Sequence, residues 1–345
     1  MALKRKLEVS SSEAEESSGG PGEEGIFGQH LLSVREFDLD KTTHLLACAE
    51  RMKLLVERQG GDDRLKHRVL ASVFYEPSTR TSCSFSAAMQ RLGGSVVSVN
   101  AEHSSIQKGE TLEDTIQTMA CYCDAIVLRH PVKGSAQQAA SVSTKPVINA
   151  GDGVGEHPTQ ALLDLFTIHS ELPGRLVRQM ADPGDPAAVL TVALVGDLKH
   201  GRTVHSLVKM LSLFPCMRFI YVSPPSLAMP AELTEEIAAL PGRAIAQITT
   251  MSLDEAAAEA DVLYVTRIQK ERFASHEEYQ AVCGSYCVDA RLMELAKKSM
   301  VVMHPLPRNS EIATEVDADP RAAYFRQMEN GMYMRMAILD CVING

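Results

Sequence analysis

The feature that most restricts the fold of this chain is a repeated alternation of short apolar runs with amphipathic stretches. Apolar runs fall at 69–75, 95–99, 125–128 and 147–149, and a second series follows at 190–195, 218–222, 244–248, 262–266 and 300–303. Helical faces lie between them: Phe85, Ala88, Met89 and Leu92 share one, and Leu112, Ile116, Met119 and Cys123 another. Apolar runs of this length between helical patterns predict parallel strands covered by helices on both faces. Two such series, in 345 residues, predict an α/β protein of two doubly wound parallel-sheet domains joined near 163–170. A face of Leu45, Ala49, Met52 and Val56 predicts a leading helix over 38–59, and the pattern from 320 to 343 a long closing one. Thr111 with Asp114 resembles a capping box, and Pro158 suits the first turn of a helix. The stretch 172–186, with three prolines and two glycines, reads as a loop. Residues 1–25 are rich in Ser, Glu and Gly and predict disorder; they are too acidic for a typical transit peptide, although Lys4-Arg5-Lys6 forms a weak targeting signal.

In parallel α/β folds ligands sit beyond the carboxyl ends of the strands, so the residues after each run matter most. After the first comes Glu76-Pro77-Ser78-Thr79-Arg80-Thr81-Ser82, opening a helix. A helix N-terminus offers unpaired N–H groups and a positive dipole end, and the hydroxyls and guanidinium add donors. That combination suits a phosphate dianion. Arg129-His130-Pro131 follow the third run, and Gly151-Asp152-Gly153-Val154-Gly155-Glu156-His157-Pro158-Thr159-Gln160 the fourth. In the second series the matching segments begin at Gly196, running to Arg202-Thr203, at Arg267, and at His304-Pro305-Leu306-Pro307-Arg308. Arg80, Arg129, Arg202 and Arg267 thus occupy one topological position, which parallel strands gather together. The net charge of −10 argues against nucleic acid or an anionic membrane as partner, so an anionic substrate requires such a local basic cluster. No apolar run is long enough to span a bilayer.

Other signals are weaker. The glycine run at 151–155 departs from G-x-G-x-x-G, no Walker lysine pattern occurs, and His157 lies outside any H-E-x-x-H. Sharing a loop with Gln160 before a helix, His157 is placed to donate to an oxygen. Lys108, in the polar segment Ser104-Ser105-Ile106-Gln107-Lys108-Gly109-Glu110, is either a surface lysine or part of a loop that swings over an anion. The eight cysteines include Cys121-Tyr-Cys123 and Cys283-x-x-x-Cys287, which lack zinc-site spacing. Reduced thiols in the cytoplasm are the expectation.

Taken in order, Ser-Thr-Arg-Thr-Ser (78–82), Gln-Lys-Gly-Glu (107–110), Leu-Arg-His-Pro (128–131), Gly-Glu-His-Pro-Thr-Gln (155–160), the segment 196–207, Thr-Arg-Ile-Gln-Lys-Glu-Arg (266–272) and His-Pro-Leu-Pro-Arg (304–308) resemble the aspartate transcarbamoylase catalytic chain. The likeness runs from about Ser33 to the C-terminus and is nearest to the domain of the animal multifunctional pyrimidine protein. It implies transfer of the carbamoyl group from carbamoyl phosphate to the amine of L-aspartate, an early step of pyrimidine synthesis, with no cofactor and no metal. It implies a carbamoyl-phosphate domain over 26–165, on which the closing helix 320–344 packs back, and an aspartate domain over 166–319. By the same resemblance Ser78, Thr79, Arg80 and Thr81 hold the phosphate, and Thr81, Arg129 and His157 polarise the carbonyl. Gln160 and the carbonyls of Leu306 and Pro307 hold the carbamoyl NH₂. Arg202 and Arg267, assisted by Thr203 and Gln269, clamp the aspartate carboxylates. Ser104 and Lys108 reach into the neighbouring site of a homotrimer, where Lys108 also meets aspartate. Glu76 pairs with Arg202 and Arg272 when the domains close. A larger pyrimidine-pathway assembly is a further implied partner.

Ornithine transcarbamoylase shares the fold and first substrate, but a cationic acceptor does not suit Arg267 and Gln269, and that family carries a cysteine where Pro305 stands here. A non-catalytic scaffold relative is expected to have lost Arg80, His157 or Lys108; all three are present.

Overall fold

The computed structural model describes residues 28–344 except 102–103, 269–272, 274, 276, 278 and 281–285. The acidic N-terminal stretch, Gln269, Arg272 and Cys283 therefore lie outside the described residues. The first strand series forms one parallel sheet of β1 (Val69–Phe74), β2 (Ser95–Asn100), β3 (Ala125–His130) and β4 (Val147–Asp152), in the order β2-β1-β3-β4. The second forms a five-stranded parallel sheet of β5 (Leu190–Val195), β6 (Cys216–Val222), β7 (Ala244–Thr250), β8 (Val262–Val265) and β9 (Val301–Met303), in the order β7-β6-β5-β8-β9. Both are the parallel α/β arrangement that the alternation predicts. Strand β5, central in its sheet, is buried along its whole length, as is the edge strand β4, along which Leu31 forms a parallel bridge to Ile148; the edge strands β2 and β7 carry exposed residues.

Eleven helices are described: α1 (Leu39–Gln59), α2 (Thr79–Arg91), α3 (Leu112–Tyr122), α4 (Ser135–Val142), α5 (Pro158–Glu171), α6 (Arg175–Ala181), α7 (Arg202–Leu211), α8 (Ala231–Ala238), α9 (Leu253–Glu259), α10 (Ala290–Leu295) and α11 (Tyr324–Ile343). Their ends follow local chemistry. The Asp38 carboxylate accepts from Lys41 N at the start of α1, which Gly60 ends at φ 84°, a conformation open to glycine. Thr111 accepts from Asp114 N at the start of α3, and Pro158 opens α5.

Two details differ from the sequence reading. The stretch 172–186 contains α6 rather than loop alone. Pro173 precedes the helix and Pro183 and Pro186 follow it, so none interrupts it, and Leu176 and Gln179 bury on the second sheet, where Gln179 Oε1 accepts from Cys216 N. Strands β3 and β4 also run beyond Leu128 and Asn149, to His130 and Asp152, which pair again after a shift in register between Leu128 and His130. Polarity at a buried strand end reads as loop in sequence, yet the ladder continues to carry those side chains into the interior.

Helix α5 is buried from Pro158 to Ile168 and packs against β4, α7 and α11, so it links the first sheet to the helices of the second. Helix α11 packs back on α1, α2 and α5. Among the described residues no helix is long and apolar enough to cross a membrane, and the described cysteines are free thiols.

Candidate active site

In a parallel sheet the crevice opens where the strand order reverses. That point lies between β1 and β3 in the first sheet and between β5 and β8 in the second. The segments leaving those four strands, with those leaving β4 and β9, line one cavity of about 1190 Å³. Ser78, Thr79, Arg80, Thr81, Arg129, His157, Gln160, Arg202, Thr203, Arg267, Leu306 and Pro307 all line it, as does Glu76. Ser104 and Lys108 are not among its lining residues; they lie at the short 3₁₀ turn Ser105–Lys108, where Lys108 is exposed.

Helix α2 presents its N-terminus to the cavity. Ser78 is the N-cap residue but its hydroxyl caps nothing, so that oxygen and the first-turn N–H groups are available to a ligand. Arg80 Nη2 donates to Leu306 O at 2.8 Å, tying the β1 segment to the β9 segment. The β9 segment is held from behind. His304, 1 % exposed, accepts Leu306 N–H on Nδ1 at 2.8 Å, and its Nε2 faces Glu311 Oε1 at 2.9 Å. An Nδ1 that accepts places the ring proton on Nε2, toward Glu311. Leu306 stands at φ 54°, and the Leu306–Pro307 peptide is cis.

The cations crowd each other. Burial, then the nearby Arg202, pulls Arg129 down to about 10, and burial lowers Arg80. Arg129 Nε lies 3.5 Å from Glu76 Oε2, though neither atom has a hydrogen-bond partner. The Glu76–Arg129 contact lies between loops of the same sheet, and Arg272, one arginine of the expected latch, lies outside the described residues. Arg202 Nη1 donates to the carbonyl of Gly153. Gly153 sits at φ 56°, and a Cβ there would stand 2.1 Å from Pro131 O. A Cβ at Gly151, within β4, would stand 3.3 Å from Arg129 Nη1 and 3.4 Å from Arg202, so the glycine run serves close packing around two arginines rather than a dinucleotide turn.

His157 is 4 % exposed. Burial, reinforced by Arg202, Arg129 and Arg335, drives its pKa well below the ordinary imidazole value, so the ring is neutral. Thr159 Oγ1 lies 3.4 Å from Nδ1. A threonine hydroxyl donating there leaves the proton on Nε2, a donor that polarises an oxygen without adding charge.

Two functional residues escaped the sequence reading. Asp164, fully buried in α5, accepts Gln160 Nε2 at 2.9 Å and Gln327 Nε2 at 2.6 Å on Oδ1, and Tyr264 OH at 2.7 Å on Oδ2. Burial pushes its pKa up to about 7 against those three donors. The bond to Asp164 fixes the Gln160 amide, leaving Oε1 as an acceptor beside the second Nε2 hydrogen. Arg335 of α11, 4 % exposed, also lines the cavity; it donates to Ser84 Oγ at 2.7 Å and lies 5.0 Å above the Phe85 ring. Burial lowers it to about 10. The i, i+4 spacing of Gln160 and Asp164 was visible in sequence; the arrival of Gln327, Tyr264 and Arg335 was not.

Comparison with known proteins agrees with this geometry. Residues 29–170 match the carbamoyl-phosphate-binding domain model, and 189–342 the Asp/Orn-binding domain model, of the aspartate/ornithine carbamoyltransferases. The chain is 48 % identical to the aspartate carbamoyltransferase catalytic subunit of Archaeoglobus fulgidus, over 91 % of this chain and 99 % of that protein. It is 54 % identical to multifunctional protein CAD of Squalus acanthias over 92 % of this chain, and spans only 13 % of that relative's length. The crystal structure of Trypanosoma cruzi aspartate transcarbamoylase in complex with N-(phosphonacetyl)-L-aspartic acid superposes with a TM-score of 0.85 at 46 % identity, covering 92 % of this chain and 97 % of that one. A match at this level over both sheets, with the strand-end arginines and His157 facing one cavity, establishes that the chain belongs to the aspartate carbamoyltransferase family.

Proposed function

We propose that the chain transfers the carbamoyl group of carbamoyl phosphate to L-aspartate, giving N-carbamoyl-L-aspartate and phosphate in pyrimidine synthesis. The observation that carries this reading is one cavity in which a hydroxyl-rich helix N-terminus faces Arg202 and Arg267 across a neutral, buried His157. Two dianions must meet there, and fixed cations offset their repulsion. The phosphate group lies on Ser78, Thr79, Arg80 and Thr81. The amine of aspartate attacks the carbamoyl carbon, and the C=O electron pair moves to oxygen, where Thr81, Arg129 and His157 donate. Gln160 Oε1 and the Leu306 and Pro307 carbonyls accept from the carbamoyl NH₂. The intermediate collapses as the C–O bond to phosphate breaks, and the departing phosphate takes the amine proton. Arg202 and Arg267, with Thr203 and Gln269, hold the carboxylates.

Domains over 26–165, joined by the closing helix, and 166–319 divide the two substrates in this reading. Ser104 and Lys108 enter the cavity of a neighbouring copy in a homotrimer; their position outside this chain's own cavity lining supports that role. A cytoplasmic setting suits the free thiols, and membership of a longer pyrimidine-pathway polypeptide follows the pattern of the multifunctional relatives. The test offers aspartate or ornithine as acceptor with carbamoyl phosphate. Carbamoyl aspartate should form and carbamoyl ornithine should not; equal use of both acceptors overturns the assignment.

A further inference from the structure

Helices α1 and α11 pack together, and a compact cluster of metal-ligating atoms, none of them lining the cavity, lies between them. His44 and Cys48 are one helical turn apart on α1, which places both on one face. Cys341 approaches from α11. Cys48 Sγ lies 3.8 Å from Cys341 Sγ and 3.4 Å from His44 Nε2, and Cys341 Sγ lies 4.0 Å from the same nitrogen. A zinc ion with bonds of about 2.3 Å to sulfur and about 2.0 Å to nitrogen, in tetrahedral geometry, requires ligand separations of about 3.8 Å between sulfurs and about 3.5 Å from sulfur to nitrogen. Two of the three observed edges match. The third closes by a small rotation of the His44 ring, which is exposed.

The surroundings agree with a bound dication. Cys48 is buried and Cys341 half-buried, so an ion held there is shielded on the protein side and open to solvent along His44. Arg51 Nη2 donates to Cys48 Sγ at 2.9 Å, the kind of N–H···S bond that fixes a thiolate ligand from behind. Two thiolates cancel the charge of one Zn²⁺, leaving no buried excess.

We propose that His44, Cys48 and Cys341 form a three-ligand zinc site, its fourth position taken by water, that clamps the first described long helix to the last. The proposal is independent of the carbamoyl-transfer reading. Such a clamp bridges residues 293 apart in sequence, and ion binding to the folded state alone raises stability by mass action.

The experiment uses the full reduced chain, stripped with a chelator and titrated with Co²⁺ and then Zn²⁺. One Co²⁺ per chain should bind with sulfur-to-cobalt charge-transfer absorption and the visible bands of a tetrahedral ion, and Zn²⁺ should displace it and raise the melting temperature. His44→Ala should weaken affinity about tenfold or more, and Cys48→Ser and Cys341→Ser should abolish the charge-transfer signal. Cys121→Ser, at an exposed thiol elsewhere, should change nothing. His44→Ala alters an exposed side chain, so it stays informative if either cysteine variant fails to fold. Absence of bound Co²⁺, or binding unchanged in His44→Ala, overturns the site. So does a reduced protein that leaves Co²⁺ free while dilute peroxide joins Cys48 to Cys341, which would make the pair a redox couple instead.

Discussion

At the scale of single residues, Asp164 shows how a side chain outside the cavity lining orients one within it. A glutamine amide presents a donor at one end and an acceptor at the other, and either end fits a cavity wall. Asp164 decides the matter by accepting Nε2 of both Gln160 and Gln327 on a single oxygen. Asp164→Leu removes both acceptors and leaves two buried amides mispaired, at about 1–3 kcal/mol each. It should lower kcat/KM for carbamoyl phosphate about tenfold. Asp164→Asn keeps an oxygen for both glutamines and turns an NH₂ to the Tyr264 hydroxyl, which can accept, so it should restore kcat/KM to within about threefold. Steady-state kinetics of the two variants separate positioning from charge. Equal loss in both would mean that the carboxylate charge, and not the amide orientation, is what the site needs.

At the scale of elements, the patterns that carry a period were legible and the contacts that close over long distances were not. Leu45, Ala49 and Met52 lie in the core as their spacing on α1 predicts, because burial of one helical face is a local property of the sequence. The turn after β1 was also readable, since helix-opening chemistry is written within a few residues. Arg335 lies 251 residues from the Ser84 hydroxyl that it meets, and no local pattern marks an arginine in an apolar helix as a cavity residue. Helix α6 was missed because its prolines carried more weight than Leu176, whose burial depends on the second sheet. Helix α11 is the element on which most of this long-range order depends. Ile338, in its C-terminal half, is fully buried. Ile338→Ala should cost about 2–5 kcal/mol, read as a lower urea midpoint at unchanged slope. A loss below about 1 kcal/mol would mean that the contacts of α11 are loose enough to collapse around the gap.

At the scale of the whole molecule, cations arrive at one cavity from strand ends of both sheets, so neither sheet alone carries the site. The same logic extends past the single chain if Ser104 and Lys108 serve a neighbour. Mixed Lys108→Ala and Arg80→Ala chains should then recover activity absent from either alone, because some interfaces pair an intact Arg80 with an intact Lys108. Activity of the mixture no greater than the sum of the separate chains would sink the shared site, and sedimentation of the same samples reads the assembly directly. A last property of the fold concerns its two ends. Gly28 N donates to Val342 O at 3.1 Å, and Asn344 Nδ2 to Arg64 O. The first and last described stretches of backbone therefore adjoin. A unit with adjoining ends behaves as a cassette: longer chain on either side leaves from the same place, like two cords from one eyelet, with no need to wrap around the body between them. In two of the multifunctional relatives the matching region makes up only 13–14 % of a long polypeptide.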